Sequence, residues 1–151
     1  MAAGKWKLYE AAKLAIANGE ILAADSFKIN LYLSTSNCDT LSGDTALANL
    51  TNQHATANGY TQNTKAVTIT RANSGGTITW DETTNPVWTA SGGSIVARFA
   101  VIYDDTHASD QALAVCLLDT TPANVTATDG NTLTVTMNAS GLFTLAGADA
   151  N

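Results

Sequence analysis

The part of the chain that most constrains its fold is the apolar run within WTASGGSIVARFAVIYDD, residues 88 to 105. From Ser94 to Tyr103 this run carries one charge, on Arg98, and both of its alternating faces are mostly apolar. Successive side chains of a strand point to opposite faces, so a strand with two apolar faces must be covered on both sides. The run therefore predicts a central strand, covered by a facing sheet and by the amino-terminal helix or a partner subunit.

The composition favours an all-β fold. Charged residues make up 13% of the chain, against about 25% in ordinary globular domains. Much of the polar surface must come from 23 threonines and 13 asparagines instead, and threonine is β-branched and suits a pleated, half-solvated face. A length of 151 residues suits one domain, so we expect residues 1–151 to form a single unit.

The first segment predicts the one helix of the chain, over residues 5–18, KWKLYEAAKLAIAN. Its apolar residues recur at helical spacing and its charged residues occupy much of the remaining surface, which makes the helix amphipathic. Asn18 and Gly19 then provide a stop, because glycine readily adopts the left-handed conformation of a helix C-cap.

Residues 26–33, SFKINLYL, alternate strictly between apolar and polar side chains and predict a half-buried strand. Residues 34–65 show no strong pattern and are expected to form a long loop or arm that orders against another chain. Within that arm, GDTALANLT predicts a short helix capped by Asp44 or Thr45.

Strands and turns are expected through residues 66–145. RANSGG, between AVTIT and TITWD, predicts one hairpin loop, and Asp129–Gly130, between NVTAT and NTLTVTM, predicts another. With residues 26–33 these segments predict a β-sandwich of about eight strands, either a jelly roll or an immunoglobulin-like fold.

The charge pattern argues against several partners. The net charge is −6 and no basic stripe is present to replace phosphate counterions, so we expect no nucleic-acid binding. No apolar run approaches the length of a membrane span, so we expect no membrane-crossing helix. Lys5, Lys7 and Lys13 crowd into the first segment, where they either face an acidic neighbour or form the solvated side of the helix.

The sequence contains no convincing catalytic or metal-binding constellation, and we expect neither an enzyme nor a cofactor. The acid pairs Asp81-Glu82 and Asp104-Asp105 follow strands and favour surface acids at turns. His107 with Ser91 or Ser94 lacks the strand, elbow and helix context of a nucleophile. Cys38 and Cys116 belong to no metal-binding motif, and the sequence leaves open whether they pair.

Aromatic residues give two hypotheses about binding. Trp80 is in phase with Ile78 and is expected in the core, whereas Tyr60 and Trp88 are candidates for an exposed stacking platform. Trp6, between two lysines, is the best candidate for an interface anchor. The full candidate interface, toward a capsid or another subunit, comprises Lys5, Trp6, Lys7, Leu8, Tyr9 and Lys13.

The opening KLYEAAKLAIANGEILAADSFKINLYLSTSN resembles small structural proteins encoded among the virion genes of tailed bacteriophages. That group shows a short helix, then G-x-I-x-L, D-x-F-K-x-x-L-Y and a Ser/Thr-rich turn. Leu22 stands where a polar residue is frequent. GYT, ITWD, VWTASGGSIVARFAVIYDD and GNTLTVTMNASGLFTL follow in the same order, so the similarity covers nearly the whole chain.

The resemblance implies a non-enzymatic capsid decoration or cement protein that is made in the host cytoplasm, binds the capsid surface of the virion and stabilises the head. Its implied partners are the major capsid protein or other virion proteins, and further copies of itself in a homo-oligomer. Two alternatives remain open. One is a tail, neck-adaptor or head-fibre component, and the other is a carbohydrate-binding module that stacks sugars on Tyr60, Trp88 or Tyr103.

Overall fold

The computed structural model describes residues 4–42, 46–119 and 124–146. Within these ranges the chain forms twelve β-strands, one α-helix and one short 3₁₀ helix, which confirms a mostly β fold with one helix. The expected number of about eight strands is too low. The helices are α1 (Glu10–Asn18) and the 3₁₀ helix Leu47–Asn49. The strands are β1 (Lys7–Leu8), β2 (Phe27–Tyr32), β3 (Ala66–Val67), β4 (Ile69–Ser74), β5 (Thr77–Glu82), β6 (Val87–Thr89), β7 (Ile95–Ala97), β8 (Phe99–Asp104), β9 (Gln111–Leu117), β10 (Val125–Ala127), β11 (Thr132–Thr134) and β12 (Phe143–Ala146).

The apolar run from Ser94 to Tyr103 contains the central strand of the largest sheet. β8 lies between β9 and β2 in an antiparallel sheet of order β1-β9-β8-β2-β3, and all six of its residues are buried. The expected single strand from Ser94 to Tyr103 is nevertheless two strands. The break is at Arg98: β7, before it, pairs with β10, whereas β8 enters the large sheet.

The prediction of a helix over residues 5–18 is wrong for its first turn. Residues before Glu10 are extended along β9, where the Gly4 amide donates to the Leu117 carbonyl at 2.8 Å and the Tyr9 amide donates to the Leu113 carbonyl at 3.2 Å. The edge of β9 offers backbone partners that the first turn of a helix lacks, since its first amides have none within the helix. KWKLY thus forms the edge of the sheet.

The end of the helix agrees with the sequence. Gly19 has a φ of 75° and its amide donates to the carbonyl of Ile16 at 3.1 Å, as expected of a left-handed C-cap. Ala12 and Ala15 are the buried residues of α1. Their small side chains allow the helix to approach β9 closely.

The long arm over residues 34–65 is packed against its own chain. It follows β2 beyond the point where β3 stops pairing, with the His54 amide donating to the Leu31 carbonyl at 2.9 Å and the Leu33 amide donating to the Asn52 carbonyl at 3.0 Å. The expected short helix is a 3₁₀ turn, and its proposed caps, Asp44 and Thr45, lie outside the described residues.

One predicted hairpin is confirmed and the other is wrong. β4 and β5 pair around Gly75 and Gly76, which both have positive φ, so the turn is shorter than RANSGG. The strands on either side of Asp129–Gly130 do not pair with each other, because β10 pairs with β7 and β11 pairs with β6. The Gly130 amide donates to the Ala90 carbonyl at 2.9 Å, so this turn joins two sheets.

The remaining strands form a three-stranded sheet of order β12-β5-β4 and the two pairs β11-β6 and β10-β7. Buried apolar side chains from all four sheets belong to one core cluster, which includes Trp80 as predicted. The described helices include none that is long and apolar enough to cross a membrane.

Candidate functional site

In each acid pair at a strand end, one carboxylate stabilises the turn that follows the strand. Asp104 is buried, and its Oδ1 accepts hydrogen bonds from the amides of Thr106 at 2.8 Å and His107 at 3.2 Å. Glu82 is also buried, and its Oε1 accepts the amide and the hydroxyl of Thr84. The expectation of surface acids is therefore wrong for these two carboxylates, although both do lie at turns.

Among the described residues, His107 forms no catalytic triad with Ser91 or Ser94. Its Nδ1 contacts the hydroxyl of Ser109 at 3.0 Å and accepts the amide of the same residue at 3.3 Å, so the ring stabilises its own loop. The Ser91 amide and the Ser94 carbonyl both bind Asn58. Within the described ranges, no group of three or more His, Cys, Asp or Glu side chains is arranged to hold a metal ion.

Tyr60 and Trp88 are close together, but they do not form a surface platform. Tyr60 is 1% exposed and Trp88 is 4% exposed, with their ring centroids 6.0 Å apart. His54 contacts Tyr60 edge-on, and the Lys65 ammonium lies 5.4 Å from the centre of the Trp88 ring. This cluster attaches the arm to the body of the protein, which explains why rings that looked available in the sequence are buried.

The candidate interface residues divide into a buried set and an exposed set. Trp6 and Tyr9 belong to the chain's own core, so they are not available as docking anchors, and Leu8 is half-buried. The Tyr9 hydroxyl donates to the Cys38 carbonyl at 2.5 Å. The lysines of the set, by contrast, are all exposed: Lys5, Lys7 and Lys13.

Two of those lysines border a cleft at the edge of the five-stranded sheet, which we call the basic cleft. Its volume is about 410 Å³. Lys7 comes from the edge strand β1, Lys5 comes from the extended segment before it, and Arg98 comes from the break between β7 and β8. The other lining residues are Gly4, Asp39, Phe99, Val115, Cys116 and Leu117. Lys13, on α1, is not part of this lining.

The register of the strands explains how the cleft is built. Lys7 pairs with Val115 and Phe99 pairs with Leu117, so these side chains share one face of the sheet. Gly4 allows the amino-terminal segment to lie close to β9, because a Cβ at Gly4 would be 3.0 Å from the Leu117 carbonyl oxygen. The result is an apolar floor with cations at its rim.

The cations of the basic cleft have no ion-pair partner in the described part of the chain. There, the one ion pair joins Lys28 Nζ to Asp105 Oδ2 at 2.7 Å. The Arg98 guanidinium lies 5.5 Å from the centre of the Phe99 ring, a cation–π arrangement that holds it over the apolar floor. Three cations therefore face one carboxylate, Asp39, in a chain whose net charge is −6.

Arg98 is a cleft residue that the sequence pattern does not place in the candidate interface. Arg98 is 91 positions after Lys7 in the sequence, and strand pairing through β9 brings them together. One feature of the sequence could have identified Arg98 as a functional candidate. It is the one lysine or arginine between residues 72 and 151, and it interrupts an apolar run.

The two cysteines are buried free thiols. Burial is the main cause that raises the pKa of Cys38 to about 11, and burial also raises the pKa of Cys116. Both are therefore protonated near neutral pH, and neither is a candidate nucleophile or metal ligand.

No protein-family model, no curated protein and no solved structure matches this chain.

Proposed function

We propose that this chain is a non-enzymatic structural protein of a tailed-phage virion, a capsid decoration or cement protein that binds the capsid surface and stabilises the head. The observation that carries the proposal is the basic cleft, where Lys5, Lys7 and Arg98 are presented without described ion-pair partners. The resemblance of the sequence to small virion proteins supports the same role. The major capsid protein is the proposed partner.

A cleft of this kind suits an acidic protein surface. Arg98 can hold a carboxylate with two parallel hydrogen bonds, whereas each lysine acts as a compact charge on a flexible stem. Charge pairs of this type steer association and select partners, and apolar contacts with Phe99 and Leu117 add buried area. The acidic remainder of the chain keeps the protein soluble before assembly.

We further propose that the sheets form a β-sandwich of the jelly-roll or immunoglobulin-like type. The strands β2, β8 and β9 are buried on both faces, which requires a second layer over the large sheet. A rigid sandwich with its arm attached is well suited to repeated copies on a particle.

The first test is to count this chain against the major capsid protein by mass spectrometry of purified particles. One copy per capsid subunit, or a simple fraction of that number, is the expected result. About a dozen copies per particle would instead indicate the tail, neck or fibres. Absence from the particle would overturn the virion role.

The second test is cosedimentation of the recombinant protein with capsids that lack it. We expect the double variant Lys5→Glu/Lys7→Glu to lose binding, and the wild-type protein to lose binding as salt rises, since exposed charge pairs are screened. Lys13→Glu is the matched control, because Lys13 is an exposed lysine outside the cleft. Unchanged binding of the double variant would contradict docking through the cleft.

We do not favour the carbohydrate-binding alternative. Tyr60, Trp88 and Tyr103, the rings that would stack on a sugar, are all buried.

A further inference from the structure

The strand pair β8–β9 has opposite charges at its two ends. One end carries Arg98 and the rest of the basic cleft. At the other end, the residues Asp104–Asp110, DDTHASD, connect the two strands and form what we call the acidic turn. Six residues of β8 separate the ends, a distance of about 20 Å at roughly 3.4 Å per residue.

The acidic turn is accessible. Thr106, Ala108, Ser109 and Asp110 are exposed, so the turn presents its carboxylate-bearing end to solvent. Asp105 is partly neutralised by its ion pair with Lys28, which leaves Asp110 as the exposed carboxylate of the turn with no ion pair to any residue that the structure describes. The negative potential of the turn acts on Tyr103, because Asp105 and Asp110 follow burial as causes that raise the pKa of its hydroxyl.

The cleft and the turn match in size and polarity. A volume of about 410 Å³ accommodates the tip of a turn. Within the turn, Ala108 offers a methyl group for the apolar floor while Asp110 offers a carboxylate for the cations at the rim. The two surfaces cannot meet within one chain, because the strand pair holds them at opposite ends.

We propose that the basic cleft of one copy binds the acidic turn of a second copy, so that the protein associates head to tail. This rests on the proposed docking role of the cleft and adds another copy of the chain to the capsid as a partner of the same site, so that a cleft filled by an acidic turn is closed to the capsid until the two copies separate. A contact between two different surfaces of identical chains is heterologous, and it produces rings if the rotation closes and open chains if it does not.

Sedimentation velocity of the purified protein at low and high salt tests the proposal. We expect oligomers at low salt that dissociate at high salt. Lys5→Glu/Lys7→Glu and, separately, Asp110→Lys should each be monomeric, whereas the control Lys13→Glu should associate like the wild type. Circular dichroism must show that each variant is folded.

A mixing experiment tests the head-to-tail geometry. The Lys5→Glu/Lys7→Glu chain keeps its acidic turn and the Asp110→Lys chain keeps its basic cleft, so an equimolar mixture should form a 1:1 dimer that cannot extend. A monomeric mixture, or a wild-type protein that is monomeric at low salt, overturns the proposal. If the wild-type protein is monomeric but Lys5→Glu/Lys7→Glu still abolishes its binding to capsids, the proposed function stands and only the self-association is rejected.

Discussion

The hydroxyl of Tyr60 accepts a hydrogen bond from the amide of Leu31 at 3.0 Å, beyond the point where β3 stops pairing with β2. A side chain of the arm thus replaces the missing backbone partner of a sheet edge. Gln53 donates to the same oxygen at 3.2 Å, and the hydroxyl itself lies 3.4 Å from Asn30 Oδ1. The arm is attached to the sheet through this network.

Tyr60→Phe should lower the free energy of unfolding by about 1–3 kcal/mol, because it leaves the buried Leu31 amide without an acceptor. Tyr32→Phe is the matched control. Its hydroxyl is buried beside Asn30 but meets no described partner with hydrogen-bond geometry, so its removal should cost much less. Urea denaturation of the two variants measures the difference, and equal losses would contradict the role of the Tyr60 hydroxyl.

Asp104→Asn should stabilise the protein at neutral pH. Burial is the main cause that raises the pKa of Asp104, and the nearby carboxyl of Asp25 also raises it, against two backbone amides that lower it. A carboxyl whose pKa is raised on folding contributes stability below its ordinary pKa of about 3.8, and that contribution is lost as the pH rises through the folded value.

Asparagine retains an oxygen for the two amides of the acidic turn and gains a donor for Asp25. We therefore expect the advantage of Asp104→Asn over the wild type to be largest near pH 7 and to shrink as the pH falls toward 4. Urea denaturation across this range measures it, with Asp110→Asn as an exposed control. A variant less stable than the wild type at neutral pH would reject the prediction.

Gly59→Ala should destabilise the protein by about 2–5 kcal/mol, through a left-handed backbone and overlap in a packed site. Gly59 has a φ of 85°, and a Cβ there would overlap the carbonyl oxygen of Thr89. Gly76→Ala is the control, because Gly76 has a similar φ of 79° but open space around it. Its expected cost is about 1–2 kcal/mol. Thermal melts of both variants distinguish the destabilisation caused by the overlap from the destabilisation caused by the backbone strain.

Trp6→Ala should unfold or strongly destabilise the chain, by about 3–5 kcal/mol. The reason is that Trp6 is 7% exposed and belongs to the core cluster. Lys5→Ala, at the neighbouring exposed position, should change stability by less than about 0.5 kcal/mol. Denaturant titration distinguishes the two. A stable, folded Trp6→Ala protein would return Trp6 to the list of interface candidates.

The sequence alone determined the features that depend on local chemistry. Alternation and a two-sided apolar run were enough to identify β2 and the central strand β8, since a pleated strand exposes successive side chains to opposite faces. The expectation that β2 is half-buried is wrong, because its polar face, with Asn30 and Tyr32, is covered as well. Gly19 and the pair Gly75–Gly76 were identified as a helix stop and a turn because glycine adopts positive φ without a steric cost.

The tertiary structure decided the features that depend on a distant partner. KWKLY satisfies both a helical and an alternating pattern, and the open edge of β9 selects the extended form. Asp129–Gly130 is a turn in either case, but its flanking strands pair with β6 and β7. Arg98 joins Lys7 in one cleft because antiparallel pairing through β9 brings distant positions together. Hydrogen-bonding partners far apart in the chain are the physical reason that these outcomes were not visible in the sequence.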